Sequence, residues 1–409
     1  MVSKNMLYDF FPGKEELTRN KPLNMLPDIN GHIHTPHSFS AFTDMEQAFR
    51  MAKKEGLKVL GINDFYTTDG YEEFALLAQK YKIFPLFNIE FMALQKDLLE
   101  AGIRVNDPNN PGRTYLSGKG LNFPVSMSSN SFATIKSIQD ESNQQTYEMI
   151  KKLNAFVKES GLDLNFDAKE MHNAYAKNLF RERHIAQAIR IAVFEKTSIS
   201  SEREKIFQKL FSGKKVKSSL ENIAALENEI RGSILKAGGS AFVEENPKAF
   251  LSLEEVNALI IDAGGIPCYP VLLDNPSGKC TDYESDKEKF LKTLLDKNIY
   301  SIELIPGRND FDILKDFVTY FHKNRFVITF GTEHNTPQLD PMKITCRGGV
   351  PLDDELRKIN YKGAAIIATH QYLKSIGEEG YLSGEKPKID QQQEFIKLGK
   401  AVIEQFISD

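Results

Sequence analysis

The stretch DINGHIHTPHSFSAF, residues 28–42, places three of the chain's eight histidines, His32, His34 and His37, within six positions. In a β-strand side chains alternate faces with a period of two, so His32 and His34 point the same way and can share one metal ion. Read alone, such a pair fits a polar strand edge or a histidine-rich loop equally well. The residues that follow narrow the choice. Thr43 and Glu46 in TDMEQAFRMAKKEG (43–56) have the spacing of a capping box, and Gly56 ends a short helix. LKVLGIND (57–64) is an apolar run of strand type, YEEFALLAQKYK (71–82) the next helix, and IFPLFNIE (83–90) the next strand.

The pattern returns after residue 250. SLEEVNALIIDAGG (252–265) has a second capping box, Ser252 with Glu255, and leads into the strand IPCYPVLL; KEKFLKTLLDKN leads into IYSIELI, and FDILKDFVTYFHKN into RFVITFGTEHNTP. Repeated strand–helix–strand units imply parallel pairing with right-handed crossovers, hence an α/β barrel or a doubly wound sheet. In such folds the C-terminal strand ends converge on one face. His32 with His34, then Asp64, Glu90, Glu303 and Glu333 with His334 all fall near strand ends. Each acid alone is as well explained as a helix cap or a solvated loop residue; together they point to a site. Imidazole nitrogen with carboxylate oxygen is a ligand set for zinc, manganese or iron. A single divalent ion on His32, His34 and Glu90 leaves positions open for water and substrate, which makes hydrolysis the natural reaction class.

The 409 residues are 41% hydrophobic and 26% charged with a net charge of −4, an ordinary globular composition without the bulk positive charge of a nucleic-acid coat. Cys268, Cys280 and Cys346 suggest neither a disulfide framework nor a zinc knuckle, so a cytoplasmic setting is expected. The N-terminal MVSKNMLYDFFPGKEEL lacks an unbroken apolar stretch, and no segment has the roughly 18 apolar residues of a membrane span, so no membrane association is expected.

The order of these pieces resembles the PHP family of metal-dependent phosphoesterases. Its HxHTxxSD motif is similar to HIHTPHSF (32–39), its TDH to GINDF (61–65), its GIE to FNIE (87–90) and its GSDxH to FGTEH (330–334). RERHIAQAIR, KIFQKLFSG, GGSAFVE and FLSLEEVNALIIDAGGIPCYP resemble, in order and spacing, the branch with nucleoside bisphosphate phosphatases and a 5′ to 3′ exoribonuclease. The resemblance covers about residues 25–340. It implies a distorted (β/α)7 TIM-like barrel, in barrel portions 25–130 and 241–345, with a helical insertion at 131–240 that caps the cleft. Residues 346–409 lie outside the resemblance, and their helical periodicity predicts a C-terminal helical extension.

Departures from the family pattern are as informative. Phe39, Phe65, Tyr115, Tyr269 and Thr332 stand where the family has metal-ligating groups, and phenylalanine cannot ligate a metal. One metal rather than three is therefore expected, on His32, His34 and Glu90, with His334 at a neighbouring position. Glu333 and His334 are the candidates to position water or protonate the leaving group, and Asp64 to support a ligand. Arg308, in IPGRND, and Lys119, in what reads as a flexible SGKG loop at the cleft rim, are candidate phosphate-binding residues. His184 matches a segment that in this branch lies near the substrate phosphate, with Arg181 or Arg183 beside it. Tyr115 and Tyr269 would line an aromatic wall able to hold a base or sugar ring. His37 is either an accessory to the site or a loop histidine, and His172, His322 and His370 are read as structural.

The expected activity is hydrolysis of a phosphate ester of nucleotide or sugar-phosphate type by metal-activated water. The partner is a small molecule; nucleic acid is not favoured, and a homo-oligomer is left open. Two alternatives stand beside it: a catalytically silent binding protein using the same cleft, and a one-metal hydrolase or isomerase of a non-phosphate metabolite.

Overall fold

A computed structural model describes residues 7–19, 26–274 and 280–408. Seven strands, β1 (Asp28–Ile33), β2 (Leu57–Phe65), β3 (Phe84–Leu94), β4 (Arg113–Lys119), β5 (Ile266–Val271), β6 (Ser301–Leu304) and β7 (Val327–Phe330), form one sheet in sequence order. β1–β2–β3 and β5–β6–β7 run parallel, whereas β4 is antiparallel to both its neighbours. A bridge between Ile33 and Glu333 brings the segment after β7 to the end of β1, so the sheet nearly closes into a barrel.

The sequence reading found every strand of this sheet except β4, and missed the short hairpin Leu382–Ser383 with Lys386–Pro387. Glycines before, within and after RTYLSGK disguise it as a loop, and its partners lie far away in sequence, Ser117 opposite Glu90 on one side and Cys268 on the other. This corrects the placement of Lys119, which is the buried last residue of a strand rather than part of a rim loop. The helix after β1, Met45–Lys54, also starts one residue later than its capping box suggests. Asp44, not Thr43, is its N-cap, accepting the N–H of Gln47, while the Ser252–Glu255 box forms as written.

Seven strands leave a seam between β1 and β7 that the long helix Asp354–Ser375 covers. Asn360 on that helix accepts the Phe330 N–H (2.9 Å) and donates to the Ile29 carbonyl (3.2 Å), pairing groups on both seam strands through one amide. Gln371, three turns on, does the same for β3, accepting from Phe87 N and donating to Pro85 O. Close approach requires glycine: a Cβ at Gly363 would lie 1.9 Å from the Ile328 carbonyl oxygen.

Two clusters of buried side chains organise the chain. The larger fills the barrel flanks; the smaller, including Leu153, Phe180, Ile189, Phe207 and Ile234, lies within residues 149–241. One helix, Ser129–Glu159, enters both, burying Ile135 and Ile138 against the barrel and Ile150, Leu153 and Val157 in the second cluster. Among the described residues no helix is long and apolar enough to cross a membrane.

Candidate metal centre

β1 turns His32 into the barrel and its continuation brings His34 beside it, with the Nε2 atoms of the two rings 3.3 Å apart. Glu90 on β3 completes the group: its Oε2 is 3.5 Å from His34 Nε2, and one ligand atom from each of the three residues lies within 4.8 Å of the others.

The hydrogen-bond partners assign the tautomers. His32 Nδ1 faces Glu303 Oε2 at 3.0 Å and donates to it, so that in the neutral tautomer this contact selects Nε2 carries the lone pair. Asn63 Nδ2 lies 3.2 and 3.0 Å from the two nitrogens of that ring, a position over its face rather than on the lone pair. His34 Nδ1 is 3.3 Å from Ser38 Oγ, and that hydroxyl spends its proton on Asp64 Oδ1 at 2.6 Å, so His34 is again the donor. Two imidazole lone pairs and a carboxylate thus converge with no proton between the rings. Burial, then His32 and Arg183, hold His34 well below the ordinary histidine range, while burial and the carboxylates of Glu333 and Glu303 push Glu90 well above the usual carboxylate range. Two imidazole nitrogens beside a carboxylate are a donor set that fits a divalent cation.

Beneath this group lies a second buried network. Burial opposes the charge on Glu303, yet the ammonium of Lys119 and the neighbouring His32 hold it well below the usual range. Lys119 Nζ donates to Glu303 Oε2 at 2.6 Å and to Asn63 Oδ1 at 3.1 Å, and Ser117 donates to Glu303 Oε1.

Glu333 and His334 behave differently from one another. Both adopt left-handed backbone, φ 62° and 49°. The Thr332 and Glu333 N–H groups donate to His32 O and the His34 N–H to Glu333 O, which pins this conformation. The turn sends the Glu333 carboxylate to Arg308, which grips both of its oxygens, and sends His334 outward onto the Phe42 ring. His334 has both ring nitrogens engaged, Nδ1 with the Thr332 hydroxyl and Nε2 with the Asp340 carbonyl, so the expectation that it ligates a neighbouring metal or transfers a proton is corrected. Asp64 also stays off the ligand group, accepting from Thr35 N and from the Thr35 and Ser38 hydroxyls.

Other expected residues spread more widely. His184 accepts the Arg181 N–H as part of a helix cap and stacks on Phe180; burial pushes it down to about 4. Tyr269 is buried and donates to Glu284 at 2.9 Å, so it does not line the site. Tyr115 packs near Phe65 with ring centroids 6.2 Å apart. His37 is tied to Asn178 at 2.9 Å.

Sequence reasoning counted Glu303 among the strand-end acids that form the site without giving it a task, and passed over Asn63, which stands next to Asp64 on β2 and so faces the other way along the strand. Arg183 was named only as an alternative. Its guanidinium lies 5.4 Å from the Phe39 centroid, and Phe39 in turn stacks on His34 at 4.8 Å. Among the described residues Arg183 has no hydrogen-bond or ion-pair partner, whereas Arg181, Arg231 and Lys236 all pair with Glu182. Burial and the nearby Arg231 push Arg183 down to about 10.

Residues 30–211 match the model of the PHP domain. Among solved structures, a protein of Bifidobacterium adolescentis described as a metal-dependent phosphoesterase aligns with a TM-score of 0.48 and 16% identity, covering 83% of this chain and 96% of that one. An amidohydrolase from Chromobacterium violaceum, with bound sulfate and no metal, aligns with a TM-score of 0.48 and 17% identity, covering 81% and 96%. No curated protein matches the chain.

Proposed function

We propose that this chain is a PHP-type hydrolase of phosphate esters that uses one divalent metal ion. The observation that carries the reading is the convergence of the Nε2 atoms of His32 and His34 with Glu90, near a guanidinium, Arg183, that among the described residues makes no ion pair. His32, His34 and Glu90 would hold the ion, which when bound supplies Lewis acidity and brings the pKa of water toward neutrality.

The surrounding residues suit the remaining tasks. Arg183 is placed to take non-bridging phosphate oxygens, for which a guanidinium fork is well shaped. Glu333, oriented by Arg308, faces Glu90 and is the acceptor for the proton lost by attacking water. Tyr115, kept protonated by burial and by Asp107 and Glu90, can donate to the ester oxygen. Residues 131–240 act as a cap, since Arg181, Arg183 and Asn178 reach the site from that segment.

The test is hydrolysis of a panel of nucleotides and sugar phosphates by protein loaded with zinc, manganese or iron, beside His34→Ala. Turnover in the wild type that is absent from the variant supports the reading. Equal rates overturn it, and ligand binding without turnover would make the chain a binding protein.

A further inference from the structure

Lys119 is 1% exposed and sits on the reversed strand β4, where Ser117 is level with Glu90 and Lys119 itself is one inward position deeper. Its ammonium therefore lies under the ligand group, inside the barrel, where a substrate phosphate held at the mouth does not reach. Buried lysines need an anionic partner, and this one has Glu303 at 2.6 Å with Asn63 at 3.1 Å. The oxygen it binds, Glu303 Oε2, is the same oxygen that faces His32 Nδ1 at 3.0 Å. Ser117 takes the other oxygen, so the carboxylate is fixed from three sides.

We infer that Lys119 is a positioning residue for the metal centre: by holding Glu303 with Oε2 turned to His32, it keeps the His32 proton on Nδ1 and leaves Nε2 bare for the cation. This rests on the reading of His32 as a ligand. A histidine ligand is presented by whatever its other ring nitrogen bonds, and removing such an outer partner typically costs 10- to 100-fold in metal affinity. Lys119 stands one step further out and acts through the carboxylate, so its removal leaves Glu303 buried without a cation and free to turn away from the ring.

The experiment uses the full chain, metal-free and uniformly 15N-histidine labelled, with the His32 signals identified by their loss in His32→Gln. The wild type is expected to show Nδ1 protonated and Nε2 bare. Lys119→Met is expected to lose that pattern and to bind zinc and manganese, titrated against a competing chelator, about 10-fold or more weakly. Lys119→Met/Glu303→Gln removes both charges but keeps a carbonyl acceptor for Nδ1, and is expected to regain both tautomer and affinity. Lys119→Met/Glu303→Leu removes the acceptor as well and is expected to regain neither. A Lys119→Met protein with wild-type tautomer and affinity overturns the inference. Should that variant not fold, equal tautomers and affinities in the two double variants overturn it instead. Failure of the wild type to bind zinc or manganese would overturn the metal reading separately, because the tautomer is read without metal.

Discussion

Glu333 holds Arg308 through both carboxylate oxygens from a left-handed backbone at φ 62°, close enough to Glu90 to raise its proton affinity. The pair is thus turned toward the metal group without being part of it. Glu333→Gln is expected to lower kcat by about 10²- to 10⁴-fold with metal content unchanged. The check is steady-state kinetics with elemental analysis; loss of the metal instead would show that Glu333 is a ligand.

Asp64 reaches His34 through the Ser38 hydroxyl and also fixes the Thr35 backbone. Asp64→Ala leaves all three candidate ligands in place but frees Ser38 to rotate. Zinc or manganese affinity is expected to fall about 10- to 100-fold. A chelator competition titration checks this, and an unchanged affinity would confine Asp64 to the fold of the loop.

His370 gives the clearest pH dependence. Its Nε2 donates to Gly264 O, its Nδ1 accepts the Tyr381 N–H at 2.9 Å, and burial pushes it down to about 4. The unfolded chain binds a proton near 6.5 that the folded chain refuses until about 4, so this contribution is full above pH 6.5 and falls away as pH drops through that window. Between pH 7.5 and 5 the wild type is expected to lose about 2 kcal/mol from this group alone. His370→Gln can keep both hydrogen bonds without titrating, so urea unfolding of the two proteins should converge as pH falls. Parallel curves would rule the contribution out.

Asn360 closes the seam with one amide, and Asn360→Leu leaves the Phe330 N–H and the Ile29 carbonyl without their partner. An unsatisfied buried backbone group costs about 1–3 kcal/mol. Thermal unfolding is expected to show a loss of about 2–4 kcal/mol, with faster amide exchange at Phe330.

The grouping of His32, His34 and Glu90 was legible where chemistry follows strand periodicity. His32 and His34 share a face because they are two apart on an extended segment, and Glu90 occupies the end of an obvious apolar run. The fold was legible for the same reason, since six of the seven strands are bounded by capped helices or turn residues. β4 escaped because its pairing is entirely non-local and its glycines carry a loop signal. His334 was misread because the direction of its side chain is set by the left-handed backbone of Glu333 and of His334 itself, which the residue types there do not reveal. Lys119 was misread because a lysine between glycines ordinarily faces water, and its partner Glu303 lies 184 residues away.

The helix Ser129–Glu159 contains neither glycine nor proline and is about 46 Å long at 1.5 Å per residue. Anchored at one end in the barrel and at the other in the helical insertion, it works as a stiff strut with no hinge of its own. If the insertion is the cap proposed above, it tilts by flexing that strut or by rotating about its footing, and ligand entry would then fall to side chains beside the site, Arg183 and the His37–Asn178 tie among them.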